Sequence, residues 1–344
     1  MSFAEVQQLI RTRGTVRELG AYVAGACFNQ SGSACAFGLG DGTLHIASGA
    51  PEWLRIEAHD GAVLAMAADV TTQGFITGGD DGALNRTGPD GAVSKLFGSG
   101  GKWIEQVASF GEGRGGLLAC AAGKQAHVFD AAGQKLKTLT HPSTVTGLAF
   151  DAKGKRIAAS HYNGASLWFT ASKSDNPRVL EWKGSHTAVA IHPAGEAVVT
   201  AMQENALHGW RLSDGQHMRM SGYPAKSETL GFTRNGRYLA SSGADAIVLW
   251  PFFGGGPMGK PPLELGRIEG VLCTRIACHP KEELVAAGYA DGTILVVQIS
   301  TQRAVVITEG GGSPVSALAW SGDGARLAVG TEGGTAAVVD LSAK

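Results

Sequence analysis

The sequence predicts an all-β chain closed into a single ring of four-stranded antiparallel sheets, a β-propeller, with eight blades as the first expectation and seven as the alternative. Three observations predict it. Short apolar segments recur every 40 to 46 residues along the 344-residue chain, the signature of stacked structural units. Glycine is abundant, with 51 residues against a usual share of about 7%, which favours turn-rich β structure. No continuous apolar stripe of period 3.6 competes over more than a few turns.

The first strand of each unit is read from VAGACF, VLAMAA, IEQVAS, VTGLAF, HTAVAI, SETLGF, CTRIAC and VSALAW, which put Val23, Val63, Ile104, Val145, His186, Ser227, Cys273 and Val315 in register. A tight turn follows. In five units a glycine stands four residues past the segment: Gly32, Gly154, Gly195, Gly236 and Gly324. Glycine there supplies the positive φ that such a turn needs. The second strand is the next apolar run, as in FITGG, LLACAA or RLAVG, and a short polar turn leads to a third run ending near an aromatic residue or valine. With an outer fourth strand, each unit becomes an antiparallel meander that buries its faces against two neighbours around an axis.

These residues resemble the WD-repeat family, whose unit runs Gly-His, two strands, an aspartate-containing turn and Trp-Asp. His59, His141 and His186 match the family histidine. Asp41, Asp81 and Asp291, each followed by glycine, match the turn aspartate, and Trp168, Trp210 and Trp250 match the third-strand tryptophan. The resemblance covers about residues 15–340 and is degenerate: the second unit keeps His59, Thr77 and Asp81 but has Thr87 in place of tryptophan, and the fifth has Glu204 in place of aspartate. It implies a rigid ring that holds protein partners.

Only residues 341–344 remain after the last unit, too few for a fourth strand. Residues 15–19 (TVREL) precede the first unit and fill that vacancy, so pairing of the chain ends is expected to close the ring and leave no long edge exposed. Residues 1–344 then form one domain, with 1–14 a short N-terminal extension. Ser2-Phe-Ala-Glu5 before Val6, Leu9 and Ile10 is a capping-box pattern that predicts a short amphipathic helix, packed either on the propeller or on another chain.

With 29 Lys+Arg against 30 Asp+Glu, the formal charge of -1 leaves no basic excess for a general nucleic-acid binder. No apolar stretch reaches the ~18 residues of a membrane helix, and MSFAEVQQLIRTRG lacks a signal peptide's apolar core. Cytoplasmic localisation is expected, and the low lysine and high Ala/Gly content suggests a bacterial source. Cys27, Cys35, Cys120, Cys273 and Cys278 read as reduced thiols in apolar strands.

Several motifs imitate chemistry. GEGRGG at 111–116 fits GxGxxG, but a strand follows it where a dinucleotide site needs a helix. GGGPMGK at 254–260 begins like a phosphate loop, yet Pro261 and Pro262 stand where the helix and its magnesium-binding hydroxyl belong. The ten histidines include no HExxH, and no CxxC accompanies them, so His59, His141 and His186 are expected to bond within their units. The sequons at Asn29 and Asn85 carry no weight in a chain that is not exported. No cofactor and no metal are expected.

Two residues beyond each register position the chain has Gly25, Ala65, Gln106, Gly147, Ala188, Thr229, Arg275 and Ala317, a small-residue channel lining with Arg275 as the outlier. No carboxylate is matched to Arg275 by this reading, so it either snorkels to solvent or captures an acidic side chain of a partner. Tyr22, Trp103 and Lys226 stand just before register positions, on the face where outer-to-inner connections emerge, and turns on that face carry Tyr162, Glu204 and Tyr289. Together they outline a mixed aromatic and charged surface for a protein partner. Residues 251–262 insert a loop on the opposite face with Phe252, Phe253 and Met258, either folded onto the blade or presented as an apolar handle. The expected function is a non-enzymatic scaffold, monomeric by itself, that binds protein rather than nucleic acid or membrane. A propeller enzyme, or a sensor of a small molecule or metal in the central channel, is the alternative.

Overall fold

The computed structural model describes residues 8–174 and 176–342, and it is an all-β propeller. A short helix, α1 (Leu9–Arg13), leads into β1 (Gly14–Glu18). Three antiparallel meanders follow: β2 (Val23–Phe28), β3 (Cys35–Leu39), β4 (Thr43–Ala47) and β5 (Leu54–Glu57); β6 (Val63–Ala68), β7 (Phe75–Gly79), β8 (Ala83–Thr87) and β9 (Val93–Gly98); β10 (Ile104–Phe110), β11 (Leu117–Ala122), β12 (Gln125–Asp130) and β13 (Lys135–Thr140). A six-stranded sheet comes next, of β14 (Gly147–Phe150), β15 (Arg156–Phe169), β16 (Arg178–Ile191), β17 (Ala197–Met202), β18 (Ala206–Arg211) and β19 (His217–Ser221). Two more sheets of four are β20 (Leu230–Phe232), β21 (Tyr238–Ser241), β22 (Ile247–Pro251) and β23 (Leu263–Leu265), then β24 (Cys273–Cys278), β25 (Leu284–Tyr289), β26 (Ile294–Gln298) and β27 (Ala304–Thr308). In the last sheet β28 (Val315–Trp320), β29 (Arg326–Thr331) and β30 (Thr335–Asp340) are completed by β1, paired antiparallel from Gly14↔Val339 to Glu18↔Thr335.

The described strands thus form seven separate sheets, the alternative count, and not the eight that were the first expectation. The reason is local. β15 pairs with β14 up to Ser160 and with β16 from Tyr162, so it spans two strand positions of the fourth unit. β16 pairs with β15 as far as Ser185 and with β17 from His186 onward, so the fourth and fifth units share one unbroken strand.

All eight register positions are buried, at 2% exposure or less. Four of them pack against a glycine of the preceding unit's second strand: a Cβ added at Gly38, Gly78, Gly288 or Gly330 would lie 2.4–2.7 Å from the side chain of Val63, Ile104, Val315 or Val23. Glycine here permits close approach of neighbouring sheets. The chain irregularity is as regular as the packing. In six units the ladder slips between the register residue and the one two beyond it, a β-bulge that bends the inner strand beside the channel.

Hydrogen bonds also pass from unit to unit. On the channel side the Thr146, Thr274 and Ser316 hydroxyls donate to the carbonyls of His186, Val315 and Val23, the last two at 2.7 Å. On the other side Arg156, His192, His279 and Arg326 bond the carbonyls of the next unit's turn glycines, Gly195, Gly236, Gly324 and Gly32. Those four glycines and Gly154 all have positive φ, as the turn spacing predicts.

Trp168, Trp210 and Trp250 are buried, each held by its indole N–H. Trp168 donates to His141 Nε2 at 3.1 Å, Trp210 to the Glu181 carbonyl at 3.3 Å, and Trp250 to Tyr223 Oη at 2.7 Å. Tyr223 in turn bonds Ser241 Oγ at 2.6 Å and so takes the place of a histidine that the sixth unit lacks. Of the N-terminal capping pattern, Ser2 to Val6 lie outside the described residues. Leu9 and Ile10 pack on the cluster of Ile294, Ile307 and Val329 at the last sheet.

Candidate functional site

Because every unit is a meander, outer-to-inner connections and second-to-third-strand turns emerge on one face, called here the mouth face. Backbone bonds knit it together, among them Leu19 N–H to the Gly334 carbonyl and Gly40 N–H to the Tyr22 carbonyl, both at 2.8 Å. Trp103 and Tyr162 project from this face at 57% and 58% exposure, and Tyr22 at 41%. Lys226 and Glu204 are also exposed; a Glu204 oxygen accepts the Ser185 N–H at 3.0 Å. Trp103 and Tyr162 belong to adjacent units, whereas Tyr22 and the Lys226 region lie elsewhere around the mouth.

Two sequence expectations need correction. Arg275 does have a carboxylate: its Nη1 pairs with Glu228, and its Nε–H donates to the Ser316 carbonyl at 2.8 Å. Glu228 also lies 3.9 Å from Lys226 Nζ, so the three form a chain at the channel mouth. Glu228 sits one residue beyond its register position, so a search restricted to the channel-facing position two beyond it passes over this partner. Tyr289 is not a surface residue. It is wholly buried, with its hydroxyl on the Gly266 carbonyl, and burial pushes that hydroxyl up from its ordinary value. Of the two placements open for the inserted loop, Phe252 takes the one folded onto the blade, buried and packed edge-on to Phe232 at 4.9 Å.

The rest of the inserted loop stays outside. Phe253 and Met258 are exposed, and Arg237 and Lys260 each lie 5.0 Å from the Phe253 ring. Lys260 Nζ caps the carbonyls of Phe253, Gly254 and Gly256, turned in on its own loop rather than out toward a phosphate. GEGRGG forms a single 3-10 turn at Gly113–Gly115 ahead of a strand.

One constellation has a hydrolase's connectivity: His59 Nδ1 lies 3.0 Å from Asp81 Oδ1, and Nε2 lies 2.8 Å from Thr77 Oγ1. A carboxylate, imidazole and hydroxyl in line are the parts of a nucleophilic triad. Thr77 is wholly buried, so no substrate reaches its oxygen, and the chain instead ties turn to strand. Burial alone would raise Asp81, but the Ala83 amide and His59 outweigh it and leave the carboxyl below its usual range. His141 and His208 are pushed down to about 4 and about 3, first by burial and then by neighbouring histidines. The thiols of Cys27, Cys120, Cys273 and Cys278 are pushed up to about 12 by burial, as suits inert core groups. Among the described residues no three His, Cys, Asp or Glu side chains converge to hold a metal, and no helix is long and apolar enough to cross a membrane.

Comparison with known proteins agrees with this architecture. The family described as "WD domain, G-beta repeat" matches residues 133–168, and "Anaphase-promoting complex subunit 4 WD40 domain" matches residues 276–344. The chain is similar to autophagy-related protein 16 of Arabidopsis thaliana, 23% identical over 80% of the chain and 55% of that protein. It is also similar to telomerase protein component 1 of Rattus norvegicus, 24% identical over 85% of the chain and 11% of that protein. It therefore spans about half of the first relative and a small part of the second. Small ribosomal subunit protein RACK1y of Oryza sativa is 25% identical over 42% of the chain and 44% of that protein. The crystal structure of the computationally designed protein Ika8 superposes with a TM-score of 0.74 at 20% identity, covering 94% of this chain and 98% of that one, a likeness of fold alone. With its repeated meanders, its histidine and tryptophan bonding and these partial matches, the chain is a β-propeller that is similar to the WD-repeat family.

Proposed function

We propose that this protein is a non-catalytic, cytoplasmic scaffold that holds a protein partner on its mouth face. The observation that carries the reading is the exposure of Trp103, Tyr162 and Tyr22 on that one face, since large aromatic side chains are where binding energy concentrates. Lys226, Glu204 and the partly exposed Arg275 supply charges around them. The similar proteins support it by their descriptions: a small ribosomal subunit protein, a telomerase protein component and an anaphase-promoting complex subunit are each parts of larger assemblies.

The scaffold is read as one domain, monomeric by itself, whose seven sheets include one of six strands that carries the fourth and fifth repeat segments. Supporting closure into a ring, the inner strands neighbour one another in the order β2, β6, β10, β14, β16, β20, β24, β28 and again β2. Residue 14 to residue 18 then act as the outer strand that closes the ring.

Recovery of partners from the native cell tests the reading. Trp103→Ala with Tyr162→Ala should lose the partner while the circular dichroism spectrum and melting temperature stay unchanged; truncating a central aromatic typically weakens binding about thirtyfold. Arg275 is left intact in this test because it holds Glu228 and the Ser316 carbonyl. Loss of the partner from Phe253→Ser with Met258→Ser, and not from the first pair, would move the function to the opposite face.

A further inference from the structure

We infer that the partner segment docking on the mouth face is rich in lysine and arginine; this rests on the mouth-face reading above. The chain is nearly neutral overall, but its charge is unevenly placed. From Glu18 to Asp81 the sequence has eight carboxylates and one cation, Arg55, which is paired with Glu57 on an outer strand.

The fold gathers these acids around an aromatic. Tyr22 lies between the last unit's turn, where Leu19 N–H reaches Gly334, and the first unit's turn, where Gly40 N–H reaches Tyr22. Along the same arc the Ala58 and His59 amides bond the Gly42 carbonyl, and Asp80 N–H bonds the Ala62 carbonyl. Glu18, Asp41, Asp60 and Glu332 are exposed along it, and Asp80 is half-buried beside Gly61. Among the described residues no lysine or arginine forms an ion pair with any of these five.

Their charge is held in place. Glu18 accepts the Thr335 hydroxyl at 3.0 Å, and Asp41 accepts the Thr43 amide at 3.0 Å and hydroxyl at 2.7 Å. Burial alone would raise Asp41, but those two bonds prevail and keep its carboxyl below the usual range. Opposed to this arc, an acidic peptide or a nucleic-acid backbone is repelled, whereas a chain of ammonium and guanidinium groups is steered in and stacks a cation or a side-chain stem on Tyr22.

The test uses the full chain and a fluorescein-labelled peptide of alternating lysine and leucine, with the glutamate-leucine peptide as its counterpart. The lysine peptide should bind, weaken with added salt, and form carbodiimide cross-links at Asp60, Asp80 and Glu332. Asp60→Asn with Asp80→Asn and Glu332→Gln should weaken it about tenfold or more. Glu52→Gln with Glu112→Gln and Glu282→Gln, which removes the same charge from the opposite face, should change it less than about twofold. Equal binding of the glutamate peptide, or equal loss in both triple variants, overturns the inference. If Trp103→Ala with Tyr162→Ala releases the native partner while the arc variant keeps it, the docking face stands and the basic chemistry falls. If neither variant releases it, the docking face falls as well.

Discussion

Ser316 Oγ donates to the carbonyl of Val23 at 2.7 Å, joining the last unit to the first across 293 positions of chain. The same hydroxyl-to-carbonyl contact links Thr146 to His186 and Thr274 to Val315, so the junction of the chain ends is built like junctions in the middle of the sequence.

That junction predicts a graded response. Ser316→Ala removes one bond and should cost about 1 kcal/mol in denaturant unfolding. Deleting residues 1–20 strips the outer strand from the last sheet and should lower the melting temperature by about 10 °C or more. A truncated protein as stable as the full chain would show that β1 closes nothing.

Gly330 makes a sharper test of packing. A Cβ there would stand 2.4 Å from Val23 Cγ1, in the core shared by the first and last sheets. Gly330→Ala should destabilise by about 1 to 3 kcal/mol, and Val23→Ala in the same chain should recover part of that loss by vacating the space. Strict additivity of the two would place the clash elsewhere.

The sixth unit's network predicts unequal losses. Trp250→Ala leaves a cavity in a well-packed cluster and should cost about 3 to 5 kcal/mol. Tyr223→Phe keeps the shape but strands the Trp250 N–H and should cost about 1 to 3 kcal/mol. Chemical denaturation of the two variants checks the order.

The depressed histidines set the direction of the pH response. His127 and His141 are pushed down to about 4 and His208 to about 3, burial leading in each case. Above pH ~6.5 the folded and unfolded states are both neutral at these sites. Below it the unfolded chain takes up protons that the folded chain refuses, so stability should fall continuously from about pH 6.5 toward about pH 4. A denaturation midpoint that is flat or rising between pH 7 and pH 5 would contradict the assignment.

Much of the ring is legible in the sequence because its packing repeats. The register positions are all buried, and the turn glycines have the positive φ their spacing demands, since both follow from local geometry that each unit must satisfy. The fused strand is not legible, because hydrophobic pattern alone does not show whether the backbone breaks at Gly184, which has a φ of 124° inside β16. Exposure is less legible still. Trp103 and Tyr289 are both aromatics at a connection, and only the tertiary structure shows that one is open while the other reaches back to the Gly266 carbonyl. Tyr223 carries no sequence signal for a related reason, since a tyrosine can replace a bonding histidine without any trace in the spacing.

Hydroxyl-radical footprinting of the partner complex recovered from the native cell tests the scaffold reading most directly. Trp103, Tyr162 and Tyr22 should lose most of their reactivity on binding, about fivefold or more, as large exposed side chains do when an interface excludes water. Phe253 and Met258 on the opposite face should react as in the free protein. Protection of Phe253 and Met258 with Trp103 and Tyr162 still fully reactive would contradict the account.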